Sequence, residues 1–347
     1  MNQKHQEWGK SMKNSTYDEL SKQLNDIQFS GVISIEENQK VIYQVIQGLE
    51  DREKHMPITR NTLFAIASGT KFLTALAIGK LIDEKKFNLD SKVKDLFDLN
   101  MNNIEPGITI RQLLSHTSGM ADYLDEDLLD DTEPLYFDIP FTDLIGPQDF
   151  IPIFSKRAHK FDPGERFNYN NQGFVYLAMI VERISHQTYQ NYINQTILKP
   201  LGILRSGIHH LNAFPAHTAL GYISNQEDSL TNLGLLPYQS GGDGGAICSV
   251  DEWGKLWESF FEYRIISKEL VHEFTKIHAV VDEKTHHYYG LGVWLTKRND
   301  EIYPYLLGGD PGISFYSSYI PNSKRHVFAV SNTTHGVWDI FDDLMKL

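Results

Sequence analysis

Cysteine, basic residues and long apolar runs are all scarce in this sequence. The chain of 347 residues has one cysteine, Cys248, which excludes an internal disulfide framework. Its 45 Asp and Glu residues outnumber its 32 Lys and Arg residues, which argues against a nucleic-acid partner. No segment approaches the roughly 20 apolar residues of a membrane-spanning helix, and the N-terminus has no apolar signal-peptide core. The sequence as it stands predicts a cytoplasmic protein, although a removed leader would leave no trace in it.

The order of strand-like and helical segments predicts a mixed α/β fold. Strand-like segments lie towards both ends, and the middle of the chain is helical and rich in loops. The predicted strands are residues 31–35, 40–46, 62–67, 289–294, 313–320 and 326–330, and the predicted helices are residues 72–82, 171–185, 189–198 and 337–347. This order implies one antiparallel sheet built from N- and C-terminal segments and flanked by helices, with a helical insertion beside it. We predict a single domain over residues 1–347, with a sheet subdomain at about 25–70 and 285–347 and a helical subdomain at about 71–284.

The sharpest candidate for catalysis is Ser68 together with Lys71, in the segment Ser-Gly-Thr-Lys. Three residues apart on a helix, the two side chains share one face. A serine hydroxyl needs a neighbouring base, and a lysine can act as one when burial lowers its pKa. The same spacing recurs in Ser91 and Lys94, where polar surroundings favour a helix cap or a solvated face. Only Ser68 lies between a strand-like segment and an apolar helix, and we therefore select it.

Two further segments carry candidate site residues. Tyr169 and Asn171 follow a Pro-Gly turn and precede an apolar helix, so that a tyrosinate could relay protons and an amide could orient a substrate. The same spacing in Tyr189 and Asn191 lies within an amphipathic helix, where a buried tyrosine and an exposed amide are expected. The glycine-rich segment 308–312 precedes a strand, and it either offers a backbone N–H to an oxyanion or forms a simple hairpin turn.

Other patterns are weaker candidates. The adjacent pairs His209-His210 and His286-His287 lack the i, i+4 spacing of a zinc-binding helix. Cys248 has apolar neighbours, which favours a buried side chain over a nucleophile. A Gly-x-Ser-x-Gly segment of the kind found in α/β-hydrolases does not occur in the sequence.

Taken together, these segments resemble the serine β-lactamase and penicillin-binding-protein superfamily. The chain is most similar to its class C β-lactamase-like branch, which includes esterases and D-aminopeptidase or carboxypeptidase relatives. The resemblance extends from about residue 30 to about residue 330 and rests on residues 62–71, 109–119, 163–171, 199–202 and 241–245, in that order. It implies the β-lactamase/transpeptidase-like α/β fold.

The resemblance also implies a role for each candidate. Ser68 would be the acylated nucleophile, and Lys71 would activate it together with Tyr169. The backbone N–H groups of Ser68 and Gly309 would form the oxyanion hole. The residues implied in substrate binding are Asn171, which would also hold Lys71, and Leu306, Gly308 and Gly309. No metal and no organic cofactor is implied.

One position departs from the family pattern. Where the family has Lys or His on the strand lining the site, this sequence has Leu306. Leucine can neither pair with a substrate carboxylate nor tune Tyr169 electrostatically. Acidic residues are also crowded between Asp122 and Glu133. They form either a solvated loop or, at the border of the cleft, a charge that disfavours anionic substrates.

The leading hypothesis is a serine hydrolase that acts through an acyl-enzyme at Ser68. Its expected substrates are small esters or D-amino-acid amides and peptides, with weak β-lactam hydrolysis at most. The alternative is a penicillin-binding or peptide-binding protein with little or no turnover, which Leu306 favours. The intact set of Ser68, Lys71 and Tyr169 favours the enzyme. The natural substrate, the rate of deacylation and the oligomeric state stay open at this point.

Overall fold

An eight-stranded antiparallel sheet is the largest element of the fold. The computed structural model describes residues 17–97, 104–125, 139–226, 228–298 and 300–347. In chain order the strands are β1 Gly31–Glu37, β2 Lys40–Gln47, β3 Leu49–Asp51, β4 Met56–Pro57, β5 Phe64–Ala65, β6 Gly207–Ile208, β7 Ala246–Cys248, β8 Ala279–Asp282, β9 His287–Tyr289, β10 Trp294–Arg298, β11 Glu301–Asp310, β12 Ile313–Ile320 and β13 Arg325–Ser331. The order in the large sheet is β2-β1-β13-β12-β11-β10-β9-β8. Because β1 pairs with β13, with Val32 opposite Val330, strands from the N- and C-terminal parts of the chain lie side by side near one edge of this sheet.

The helices pack on both faces of the sheet. They are α1, of which residues 17–26 are described, α2 Thr70–Asp83, α3 Ile110–Leu114, α4 Asn171–Ser185, α5 Tyr189–Asn191, α6 Val250–Phe261, α7 Lys268–Phe274 and α8 Phe341–Leu344. Helix α2 is apolar on nearly every side, which is typical of a helix inside the protein, and 11 of its 14 residues are buried. Within the described ranges, no helix combines the length and apolar character needed to cross a bilayer.

Two apolar cores follow from the alternation of side chains along the strands. Phe315 and Phe328 point to the main core, which also contains Phe72 of α2. Their neighbours Tyr316 and Val327 point to a second core, where residues of α1 and α8 cover the other face of the sheet. An antiparallel sheet from both chain ends with helices on its faces confirms the predicted fold class.

Some predicted elements are wrong in detail. Residues 289–294 were expected to form one strand, but they span the end of β9, a connection and the start of β10. Gly290 lies in this connection because its backbone passes close to Phe274, where a β-carbon would lie 2.1 Å from the carbonyl oxygen. The closing helix predicted at 337–347 is reduced to a 3₁₀ turn at Trp338–Ile340 followed by the short α8.

Candidate active site

Ser68 lies in a tightly held turn between the small sheet and α2. Strand β5 pairs with β7, and the 3₁₀ turn Ala67–Gly69 leads directly into α2. Ala67 has a φ of 44°, a left-handed conformation that an alanine adopts only when its surroundings impose it. The hydroxyl of Thr70 donates to the carbonyl of Ala67 at 2.7 Å and accepts from the N–H of Ala246 at 2.9 Å. The turn is therefore fixed on both sides, and it presents a half-exposed Ser68 to a cavity.

Lys71 is the buried cation of the site. Its side chain is among the largest fully buried ones, and the residue is 2% exposed. Its Nζ lies 3.0 Å from Ser68 Oγ, 2.7 Å from Asn171 Oδ1 and 2.9 Å from the carbonyl oxygen of Asp243. Three acceptors match the three N–H bonds of an ammonium group. After loss of one proton, two of these contacts can still hold Nζ while its lone pair faces the serine.

The glycine-rich segment 241–245 supplies one of these contacts through its backbone. Thr74 donates its hydroxyl proton to the carbonyl of Gly242, so Tyr189 must be the donor in its own 2.6 Å hydrogen bond with Thr74. Gly242 has a φ of +103°, and a β-carbon there would lie 2.4 Å from the β-carbon of Ala178. Packing against α2 and α4 thus aims the carbonyl of Asp243 at Lys71. Sequence analysis missed this role, because a backbone carbonyl has no side-chain signature.

Tyr169 packs against uncharged aromatic rings beside Lys71. The lysine Nζ lies 4.8 Å from the centre of the tyrosine ring, which stacks on Trp294 and lies 4.3 Å from the ring of His116. Burial, with a contribution from the charge of Lys71, lowers the pKa of His116 well below its usual value. His116 Nδ1 accepts from the N–H of Asn170, so the imidazole proton lies on Nε2, which faces the hydroxyl of Tyr289 at 3.2 Å.

Asn171 begins α4 and connects Lys71 to a buried acidic residue. Its Oδ1 accepts from Lys71, while its Nδ2 lies 3.2 Å from both Asp122 Oδ2 and the carbonyl oxygen of Leu124. Asp122 is 1% exposed, which is unlike a residue of a solvated acidic loop.

The other acidic residues of this cluster divide into two groups. Asp125 is 7% exposed and pairs with Arg157 at 2.9 Å and Lys160 at 2.7 Å, so it too is no part of a solvated loop. The remaining members lie outside the described residues; they are Glu126, Asp127, Asp130, Asp131 and Glu133.

Strand β11 brings the predicted oxyanion glycines to the turn that carries Ser68. A β-carbon at Gly308 would lie 2.0 Å from the carbonyl oxygen of Ile66, so only glycine allows the strand to pass this close to Ser68. Gly308 and Gly309 both line the cavity. Leu306 is 3% exposed and belongs to the main core, whereas its neighbour Leu307 lines the cavity. Leu306 is therefore a buried core residue that is not among the residues lining the cavity.

The cavity in front of Ser68 is large and mostly apolar. It has a volume of about 950 Å³ and is also lined by Tyr169 and Asn171. Its aromatic lining consists of Tyr123, Phe141, Phe150, Phe214, Tyr238, Trp294 and Trp338. Among the described lining residues none is Lys or Arg, whereas Asp243 and Asp310 are present. Nowhere in the described ranges do three or more His, Cys, Asp or Glu side chains gather as a metal site.

Comparisons with known proteins agree with this architecture. The profile of the family described as Beta-lactamase matches residues 18–345. The crystal structure of a penicillin binding protein from Bacillus halodurans has a TM-score of 0.86 and 33% sequence identity, covering 94% of this chain and 99% of that one. A D-amino acid amidase from Ochrobactrum anthropi, 20% identical with a TM-score of 0.75 over 96% of this chain and 98% of that one, is similar in fold.

A curated relative has a greater length. Protein flp of Staphylococcus aureus is 34% identical over 194 residues, which are 55% of this chain and 37% of flp. The match thus spans little more than a third of that relative. The family resemblance drawn from the five sequence segments is confirmed by the profile and the Bacillus halodurans structure.

Proposed function

The chain belongs to the Beta-lactamase family of serine hydrolases, and we propose that it hydrolyses small esters or D-amino-acid amides and peptides through an acyl-enzyme at Ser68. The observation that carries this proposal is the 3.0 Å contact between Lys71 Nζ and Ser68 Oγ, made by a lysine that is 2% exposed. A buried amine held against a hydroxyl by two other contacts is suited to remove its proton.

In the proposed acylation, Ser68 Oγ attacks the substrate carbonyl carbon and its proton passes to the amine of Lys71. The negative charge that develops on the carbonyl oxygen is stabilised by the backbone N–H groups of Ser68 and Gly309. Tyr169, beside Lys71, returns the proton to the leaving alcohol or amine as the carbonyl–heteroatom bond breaks. Water then attacks the ester at Ser68 by the same steps in reverse, which releases the acid.

The lining of the cavity supports neutral or amine-bearing substrates. A substrate carboxylate is usually held by Arg or Lys, and none lines the described part of this cavity, whereas Asp243 and Asp310 do. Leu306 adds no charge, because a leucine side chain is uncharged, and it lies in the core and not in the lining. Many aromatic side chains and a volume of about 950 Å³ offer room for a bulky apolar acyl group.

The proposal can be tested with three chromogenic substrates and one mass measurement. We expect cleavage of p-nitrophenyl acetate and of a D-phenylalanine p-nitroanilide to exceed that of a chromogenic cephalosporin in kcat/KM. Intact mass during ester turnover should show the acyl group, and peptide mapping should place it on Ser68.

Two outcomes would contradict the proposal. Efficient cephalosporin turnover without ester or amide cleavage would overturn the assigned substrate class. A stable penicillin adduct on Ser68 without turnover of any substrate would favour the alternative, a penicillin-binding protein in which the position of Leu306 weakens deacylation.

A further inference from the structure

Asp122 occupies a position that controls the orientation of Asn171. Its Oδ2 accepts from both the backbone N–H and the side-chain Nδ2 of Asn171, and its Oδ1 accepts from the N–H of Gln172 at 2.9 Å. These backbone groups are the first N–H groups of α4, which the helix itself leaves without partners and which favour a negative charge.

An asparagine amide can be placed in two ways that exchange its oxygen and its NH₂ group. An ionised carboxylate only accepts hydrogen bonds, so Asp122 selects the orientation in which Nδ2 faces it. The same orientation points Oδ1 of Asn171 at Lys71, 2.7 Å away. The carbonyl of Leu124, 3.2 Å from Nδ2, favours this orientation as well.

We propose that Asp122 is a positioning residue that fixes the amide of Asn171 and so holds the amine of Lys71 against Ser68. This inference rests on the proposed acylation of Ser68. In the opposite orientation the NH₂ group of Asn171 would face Nζ, where an ammonium group has no lone pair to accept from it and a neutral amine has only the one that must face Ser68. Lys71 would then lose its hydrogen bond to Asn171, and its Nζ would be held less firmly against Ser68.

The charges around Asp122 make the orientation of the Asn171 amide depend on pH. Burial raises the pKa of Asp122 to about 7, against the lowering effects of its backbone hydrogen bonds and of Lys71 on α2. Its other neighbours are Arg157, which donates to its backbone carbonyl at 2.9 Å, and the phenol of Tyr123, which donates to Asp243. Protonated Asp122 can donate to Asn171 and permit the opposite orientation. The acylation rate is therefore expected to rise with pH as Asp122 ionises near neutrality.

A double-mutant cycle tests the proposal. The readout is the rate of Ser68 acylation by a p-nitrophenyl ester, measured in the wild type, Asp122→Asn, Asn171→Ala and the double variant. Asp122→Asn replaces one acceptor oxygen with an NH₂ group, which then faces the N–H donors of α4. This change should slow acylation about 100-fold. In the Asn171→Ala background the same change should cost less than about threefold, because the residue through which Asp122 acts is gone.

Asp125→Asn is the matched control. Asp125 is a buried carboxylate of the same segment, but its partners are Arg157 and Lys160. We expect its acylation rate to stay within about twofold of wild type even if the melting temperature falls. The proposal is overturned if Asp122→Asn acylates normally, if its effect is undiminished in the Asn171→Ala background, or if Asp125→Asn slows acylation equally.

A measurement on the wild type covers the case in which Asp122→Asn does not fold. With ¹⁵N-labelled asparagine, the side-chain NH₂ resonance of Asn171 is identified by its loss in Asn171→Ala. We expect it to shift with pH with the same midpoint as the acylation rate, and no response between about pH 5 and pH 9 would refute the proposed link. A wild type that is never acylated at Ser68 would instead refute the proposed function and leave this titration to decide the role of Asp122.

Discussion

The Ser-x-x-Lys pattern occurs twice in this chain, and the two copies have different structures. Lys71 is buried and its Nζ lies 3.0 Å from the hydroxyl of Ser68. Ser91 and Lys94 are both half-exposed, and the hydroxyl of Ser91 accepts the N–H of Asn88 at 3.0 Å within a turn. One copy is a contact pair with a buried lysine and the other is part of a surface turn, although the residue types and their spacing are identical.

The difference comes from residues that are distant in the sequence. The two contacts that hold Lys71 besides Ser68 come from Asn171 and Asp243, which are 100 and 172 positions away. In the second copy, Lys94 lies within a 3₁₀ turn at Val93–Leu96 instead of a buried helix. Spacing brings a serine and a lysine together, but burial and tertiary contacts decide whether the lysine can act as a base.

The largest expected effect separates the two serines. Ser68→Ala removes the proposed nucleophile and should abolish both ester turnover and labelling by a fluorophosphonate, with a change in unfolding free energy of about 1 kcal/mol or less. Ser91→Ala should leave turnover unchanged. Intact mass after labelling and steady-state kinetics measure both. A Ser68→Ala protein that still becomes labelled would show that another group is the nucleophile.

The second-largest expected mutational effect separates the two lysines. Lys71→Ala removes the proposed base and should slow acylation by about 1,000-fold or more. It also leaves Asn171 Oδ1 and the carbonyl of Asp243 without their donor, which should lower the free energy of unfolding by about 1–3 kcal/mol. Rapid-mixing kinetics and chemical denaturation check the two effects separately.

Lys94→Ala is the control for the lysine comparison. Lys94 is half-exposed in a surface turn, so its removal should change neither the acylation rate nor stability beyond about 0.5 kcal/mol. A near-normal acylation rate in Lys71→Ala, with the fold intact, would remove Lys71 from its assigned role and with it the distinction between the two copies.

The contrast between the two Ser-x-x-Lys copies also shows which features of the fold the sequence could predict. Helix α4 is found at the predicted residues 171–185, because its apolar face, its N-cap Asn170 and its left-handed end at His186 are all local signals. Strand β12 likewise matches the predicted 313–320. The predicted strand 289–294 fails, because Gly292, with a φ of 72°, donates its N–H to the carbonyl of Leu114, a contact that no local pattern indicates.

For the candidate site, too, the sequence indicates the residues that lie in local motifs but not those that act through tertiary contacts. Ser68, Tyr169 and Asn171 line one cavity, and Lys71 contacts all three of them, whereas their catalytic roles stay a prediction. The sequence indicates Asp122 only as a member of an acidic cluster. A carboxylate that caps a helix inside the protein has the same local sequence as one in a solvated loop, so its role depends on a tertiary contact.

The smallest expected effects separate two tyrosines that share the spacing Tyr-x-Asn. Tyr169 is half-buried and lines the cavity beside Lys71, so Tyr169→Phe should slow turnover about 100-fold through loss of proton transfer, with a change in unfolding free energy of about 1 kcal/mol or less. Steady-state kinetics and thermal denaturation measure the two quantities. A variant with full activity would exclude the phenol from proton transfer.

Tyr189 is the opposite case, and it completes the comparison. It is 1% exposed, and its hydroxyl donates to Thr74, whose own proton is used by the carbonyl of Gly242. Tyr189→Phe removes one buried hydrogen bond, so the free energy of unfolding should fall by about 1 kcal/mol while turnover changes less than about threefold. If Tyr189→Phe instead slowed turnover as strongly as Tyr169→Phe, the segment holding the carbonyl of Asp243 would depend on this one hydroxyl. The hydrogen bonds of Lys71 would then depend on buried residues of the helices and not on the turn that carries Ser68.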